Sequence, residues 1–342
     1  MKKFAVFSGF LGSGKTTTMM ALAKAGSTTA MITNDLGGKG LADHKLAQLQ
    51  QCNASEITGD CICYQTETLV ARLNSLFDEQ GCDLVISDIP GFGVGALDHV
   101  YHTLHTRYPG QYSLAPFTVL VEPQTIAMLQ EGSSDLAYIL HHQLVEADLI
   151  ALNKADLLDR TAEAAAAAWL QETYPEADVI AISAATGQGL DRLYHTLMQA
   201  EATLRRPDIG YGGDAFSAVM SRVCEYNLQY YAVVCCNDFD GNAYLAELAE
   251  FLRGQICGFR IPHMKLLAWE PEGEYGKVDL LDANRPIEIN HTFSHPCTEL
   301  AVVLNASAFG VAKDIDTAIT GAVETVSRRF QLDIMIYRKE LL

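Results

Sequence analysis

The stretch Gly9 to Thr17, GFLGSGKTT, decides how the rest of the chain is read. Glycines, a lysine and threonines in such density do not fill a core. The apolar run FAVF (Phe4 to Phe7) precedes it and a helical pattern follows. Gly9-x-x-x-x-Gly14-Lys15-Thr16 is the pattern of a phosphate-binding loop, in the strand-before, helix-after context that the pattern requires. Glycines let such a loop wrap with its amides turned inward on phosphates. The helix N-terminus adds positive potential. Lys15 supplies charge to the β- and γ-phosphates, and the Thr16 hydroxyl ligates Mg²⁺. Gly12, Ser13 and Thr17 complete the expected cradle.

Working outward, short apolar runs alternate with helical stretches over the first two hundred residues. TAMIT (Thr29 to Thr33), DLVIS (Asp83 to Ser87), FTVLV (Phe117 to Val121), DLIAL (Asp148 to Leu152) and DVIAI (Asp178 to Ile182) read as buried strands. The alternation predicts a P-loop NTPase: a doubly wound, mostly parallel α/β sheet. The run Ala164 to Ala168 reads as helix, because alanine has the highest helix propensity. RRPDIGYGGD (Arg205 to Asp214) breaks the rhythm with proline and glycines. The expected organisation is a nucleotide domain over 1–204, a linker over 205–214 and a smaller two-layer α+β domain over 215–342.

The base is read further along. Asn153-Lys154-x-Asp156 follows an expected strand, where a loop at the carboxyl edge of the sheet meets a ligand. An aspartate accepts two hydrogen bonds from guanine N1–H and its exocyclic amine, which adenine does not offer, so the pattern points to GTP. SAATGQG follows the next strand, and its amides around Ser183 and Ala184 are candidates for guanine O6. Asp88 in DIPG, at a strand end, suits a carboxylate that holds Mg²⁺, with the Gly91 amide placed to meet a γ-phosphate. Asp35 in TNDLGG, at another strand end, suits the ordering of a Mg²⁺-bound or attacking water. Lys15, Thr16, Asp35 and Asp88 form the expected hydrolytic set. No arginine stands out as a finger supplied by the chain itself, so slow hydrolysis is expected.

The composition limits the partners. Of 342 residues, 42 are Asp or Glu and 24 Lys or Arg, a formal net charge of -18. That balance argues against a nucleic-acid partner. No apolar run reaches membrane-spanning length, and the apolar run after Met1 is too short for a signal peptide. Nine cysteines without disulfide-like spacing suggest reduced thiols and a cytoplasmic protein.

At this point the chain resembles the CobW-type metallochaperone GTPases, in the same broad class as UreG and HypB. The resemblance rests on GFLGSGKTT, ITNDLG, a cysteine-containing turn, a strand ending in an acidic x-x-Gly motif, and ALNKADLL. It covers the nucleotide domain and, more loosely, the C-terminal layout. It implies GTP binding and hydrolysis coupled to delivery of a metal such as zinc or cobalt, or of cobalamin, to a client metalloenzyme or corrinoid protein. A nucleotide-dependent homodimer belongs to the same expectation. The family's turn reads Cys-x-Cys-Cys; here TGDCICYQT gives Cys61 and Cys63, with Tyr64 in the third place. Relatives often carry Glu where Asp88 stands, and threonines where Ile89 and Pro90 stand.

Two thiolates favour Zn²⁺, Co²⁺ or a similar soft-to-borderline ion. A tetrahedral site needs further ligands, with Asp60, Cys52, water or a second subunit as candidates. HTFSHPC offers His291, His295 and Cys297. HVYHTLH places His99, His102 and His105 broadly on one helical face. The doublet Cys235-Cys236 is expected in the core. Two functions remain: a slow GTPase that gates metal handling, and a nucleotide-gated module that docks on a client without a metal of its own.

Overall fold

The computed structural model describes residues 2–26, 28–37, 42–132, 135–207, 213–255, 260–271, 273–281 and 285–341. The chain divides into two compact units. One comprises Met1–Leu36 and Gln50–Phe216, the other Gly37–Leu49 and Ser217–Leu342.

The first unit is built on parallel strands: β1 (Lys3–Gly9), β2 (Thr29–Asp35), β3 (Ala54–Thr58), β4 (Leu84–Asp88), β5 (Ser113–Leu114), β6 (Thr118–Val121), β7 (Leu149–Leu152) and β8 (Asp178–Ala181). Their order is β3-β2-β4-β1-β6-β7-β8, with β5 also pairing β1. Each residue of β1, β4, β6 and β7 is buried. A parallel strand covered on both faces needs apolar side chains on both, which is why these strands read as continuous apolar runs. β3 gives no such run. Its sequence is ASEIT, only Ile57 is buried, and it lies at the sheet edge. The expected helix over the alanine run is Arg160–Thr173, capped by the Asp159 carboxylate accepting from Ala162 N at 2.8 Å.

This order positions the site. From β1 the chain moves outward to β2 on one side, and β6, β7 and β8 follow on the other, so the reversal of strand order lies at β1. Ligands of open α/β sheets bind outside the carboxyl ends at such a reversal. That edge carries Gly9, Asp35, Asp88, Asn153 and Ser183, each at or just past the end of its strand.

The second unit is a six-stranded antiparallel sheet: β9 (Val223–Val234), β10 (Arg260–Trp269), β11 (Tyr275–Leu280), β12 (Glu288–His291), β13 (Glu299–Phe309) and β14 (Leu332–Leu341), in the order β12-β11-β10-β13-β9-β14. Alternate residues of β9 and β13, among them Tyr226, Leu228, Val302, Leu304 and Ala306, share a core with Leu248 of the helix Gly241–Gln255 and Val323 of the helix Ala312–Arg329. Period-two alternation in a strand places these side chains on one face.

Two expectations are corrected here. The first unit is not an uninterrupted segment over 1–204. The helix Ala42–Leu49 belongs to the second unit, because its polar groups find partners there. Ala42 N donates to Asn305 Oδ1 at 3.0 Å, and Lys265 Nζ lies 2.6 Å from both carboxylate oxygens of Asp43. Cys235 and Cys236 are exposed rather than in the core, because β9 ends at Val234 before reaching them. The expected linker over 205–214 falls in part on 208–212, outside the described residues.

Candidate functional site

The loop between β1 and the helix Lys15–Ala25 has a shape that only glycine permits at two points. Gly9 has φ 131° and Gly14 φ 91°. A Cβ on Gly9 would stand 2.3 Å from Leu120 O, and one on Gly14 2.2 Å from Asn153 Nδ2. Both conformation and space exclude a side chain. Lys15 Nζ donates to Gly9 O at 2.6 Å and to Phe10 O at 3.4 Å, so the ammonium is held over the loop. Ser13 is 1% exposed, and its Oγ has no hydrogen-bond partner among the described residues. A buried hydroxyl without a partner inside a glycine cradle fits a ligand that supplies acceptors, as a phosphate does. Thr16 is half-buried and Thr17 exposed.

The expected base-reading residues converge on the same edge, with one difference of role. Asn153 is buried, and its amide joins two loops: Nδ2 donates to Ser13 O at 2.8 Å, and Oδ1 accepts from Ala184 N at 3.0 Å. Asn153 therefore fixes the phosphate loop to the SAATGQG loop, and the Ala184 amide is engaged by it. Lys154 takes a left-handed φ of 60°, and its Nζ lies 2.7 Å from Glu122 Oε2 at the end of β6. Asp156 is exposed. Ser183 closes its own loop: its N donates to Gln188 O at 2.8 Å and its Oγ accepts from Thr186 N at 3.1 Å.

The acidic residues lead to the cysteine turn. Asp88 is 5% exposed, and its Oδ1 accepts from Asn34 N at 2.9 Å. The Asn34 side chain continues the path. Its Oδ1 accepts from Ile62 N at 2.9 Å, and its Nδ2 donates to Asp60 O at 2.9 Å. Asp35 follows Asn34 at the end of β2 and is half-buried. The cysteine turn itself follows β3, so it lies between the third and fourth observed strands. Cys61 and Cys63 bring their Sγ atoms within 2.9 Å of each other. Both are free thiols. The hydrogen bond from Cys63 lowers the pKa of Cys61 despite its burial, while the same bond and burial raise that of Cys63. Of the two thiols, Cys61 is therefore the one that gives up its proton more readily. The Asp60 carboxylate accepts from Cys61 N at 2.7 Å, and Cys52 Sγ lies 4.0 Å from Gln50 O. Among the described residues, no third Cys, His, Asp or Glu joins the two thiols in a group of three metal ligands.

Two residues that the sequence did not single out hold the DIPGFGVG segment. Gln143, fully buried in the helix Asp135–Glu146, donates to Gly91 O at 3.0 Å and Gly93 O at 2.9 Å. Glu146 accepts from Gly95 N at 2.7 Å and Leu97 N at 3.2 Å. Burial pushes the Glu146 carboxyl up to about 7 against those two amides. Lone amide and carboxyl side chains inside a helix carry no spacing signal that would have marked them. The histidines of HVYHTLH are dispersed. The helix is wound as a π-helix over Leu97–His102, His99 lies 5.8 Å from the Tyr64 ring, and His102 Nε2 is 3.3 Å from Arg205 O.

A phosphate loop at the reversal point of a parallel sheet, with carboxylates at neighbouring strand ends, defines a P-loop nucleotide-binding protein. The chain belongs to the family described as CobW/HypB/UreG, nucleotide-binding domain, whose match spans residues 3–181. It is a family of P-loop GTPases. Among solved structures, the chain is similar to HypB from Helicobacter pylori in complex with nickel. That match has 18% identity, covers 58% of this chain and 86% of that one, and has a TM-score of 0.42. It is also similar to Zn(II)-bound YjiA GTPase from E. coli, at 16% identity, covering 93% of this chain and 98% of that one, with a TM-score of 0.41. No curated protein sequence matches it. No helix among the described residues is long and apolar enough to cross a membrane.

Proposed function

We propose that this chain binds GTP with Mg²⁺ and hydrolyses it slowly, and that nucleotide state governs the hold of Cys61 and Cys63 on a divalent metal such as Zn²⁺ or Co²⁺. The metal is cargo, passed to a client metalloenzyme or corrinoid protein. The Gly9–Thr17 loop takes the phosphates, with Lys15 leaving Gly9 O and Phe10 O for phosphate oxygens. Thr16 and Asp88 are the residues to hold Mg²⁺, which supplies charge neutralisation at the phosphates. Asp35 orders water, the Gly91 amide meets the γ-phosphate, and Asp156 selects guanine, with Asn153 holding the two loops in register.

The observation that supports coupling is the continuous path from Asp88 Oδ1 through the Asn34 backbone and side chain to Ile62 N, between the two cysteines. A displacement of Asp88 on Mg²⁺ binding is passed to the thiol turn through one residue. By linkage, GTP and metal then alter each other's affinity by the same factor. The test is Zn²⁺ affinity of the nucleotide-free, GDP-bound and GTP-analogue-bound protein, in wild type, Asn34→Ala and Cys61→Ala/Cys63→Ala. The expected result is an affinity ratio between nucleotide states of at least about tenfold in wild type. Asn34→Ala should bind both ligands with a ratio near one, and the double cysteine variant should lose the nucleotide-sensitive site.

The alternative, a nucleotide-gated docking module without a metal at this turn, draws support from the absence of a third described ligand beside the thiols. It becomes the better reading if the double cysteine variant binds Zn²⁺ as wild type does in every nucleotide state.

A further inference from the structure

The second unit gathers three metal-ligand side chains at one hairpin, away from the residues assigned above. Strand β10 ends at Trp269, which pairs with Tyr275 at the start of β11. The turn between them is closed by Glu270 N donating to Glu274 O at 2.9 Å and Gly273 N donating to Glu270 O at 3.0 Å. This closure sets Glu270 and Glu274 side by side. His295, on the segment between β12 and β13, brings its Nε2 to 3.5 Å from Glu270 Oε2 and 3.6 Å from Glu274 Oε2. One ligand atom from each of the three lies within 4.8 Å of the others.

Three further observations point to a cation among them. First, Glu270 is 5% exposed, and its Oε2 is buried without a hydrogen-bond partner among the described residues. A buried carboxylate is ordinarily paired with a cation or bound to a metal. Neither lysine nor arginine forms an ion pair with Glu270 among the described residues; its polar neighbours are the His295 imidazole and the Cys297 thiol, neither of them a fixed cation. Second, His295 Nδ1 lies 3.0 Å from Pro296 O. A carbonyl only accepts, so Nδ1 carries a proton, and Nε2 is the ring atom turned toward the two carboxylates. That arrangement is the one in which an outer carbonyl orients a metal-binding histidine. Third, Glu274 is itself oriented, accepting from Ser294 N at 3.0 Å and Ser294 Oγ at 2.7 Å. Its oxygens retain lone pairs for a further ligand.

We propose that Glu270, Glu274 and His295 form a second divalent-metal site. One imidazole nitrogen and two carboxylate oxygens suit Zn²⁺ or Co²⁺, and the two carboxylates neutralise a divalent charge. Glu274 is half-buried and His295 exposed, which leaves room for water to complete the coordination. The stretch HTFSHPC contributes one ligand rather than three. His291 stacks on Tyr275 with ring centroids 3.8 Å apart and places Nδ1 2.7 Å from Tyr275 O, while Cys297 is fully buried.

This site does not depend on the function proposed for the cysteine turn, and its test removes that turn. The full chain carrying Cys61→Ala/Cys63→Ala, without nucleotide, is titrated with Co²⁺ and followed by visible absorption. The expected result is one bound equivalent with the weak bands of nitrogen and oxygen ligands and no thiolate charge-transfer band. Adding His295→Ala or Glu274→Gln should each weaken binding at least about tenfold, with the far-ultraviolet circular dichroism of the metal-free protein unchanged. The proposal is overturned if the double cysteine variant takes up no Co²⁺, or if either added substitution leaves its affinity unchanged.

Discussion

At the residue scale, the phosphate loop was the most legible feature of the sequence, because its signal is local. Gly9, Gly14, Lys15 and Thr16 lie within one short segment whose backbone demands are visible in residue types. The role of Asn153 was not legible. Its bonds to Ser13 O and Ala184 N join segments distant in sequence, and no spacing rule reports them. The same holds for Asn34 and Gln143. These contacts give two predictions. Gly14→Ala places a methyl 2.2 Å from Asn153 Nδ2 and strains a φ of 91°. It should therefore weaken GTP binding at least about a hundredfold, about 3 kcal/mol, as read by calorimetry; an unchanged affinity would show that the Asn153 tie is unimportant. Asp156→Asn should shift preference from guanine to xanthine nucleotides, because the side chain then offers a donor in place of an acceptor. Competition between GTP and XTP measures this, and an unaltered preference would remove Asp156 from base recognition.

At the element scale, legibility followed burial. Strands covered on both faces declared themselves as apolar runs, whereas β3, in which Ile57 alone is buried, did not. The helix Asp135–Glu146 has a consequence that its sequence did not show. It turns Glu146 toward the segment after β4, and burial raises that carboxyl to about 7, above the usual value near 4. Between those values the unfolded chain ionises the group while the folded chain keeps it protonated. The stabilising contribution of Glu146 is therefore complete below about pH 4 and is lost as the pH rises through about 7, a change on the order of 3 kcal/mol. Relative to Glu146→Gln, wild type should lose thermal stability between pH 5 and pH 8. Parallel melting curves for the two proteins across that range would show the assignment to be wrong.

At the scale of the whole molecule, the sequence conveyed two architectures but not how the chain is shared between them. Nothing in ADHKLAQL says that this helix joins a sheet whose strands begin at Val223; the Asp43–Lys265 ion pair and the Ala42–Asn305 hydrogen bond do. A fragment beginning at Ser217 lacks the helix that buries Ala42, Leu46 and Ala47. It should melt several degrees below the same unit in the full chain, and a peptide spanning 37–49 added in trans should restore part of the difference. An absence of both effects would make the helix dispensable. The shared helix also bears on a cut chain. If a protease site is inserted within 205–214 and cleaved, the N-terminal fragment still carries residues 42–49, whose partners Lys265 and Asn305 sit on the other fragment. The two pieces should therefore co-elute in gel filtration after complete cleavage and part only in denaturant, because residues 42–49 remain seated on their own unit when the backbone between the fragments is gone.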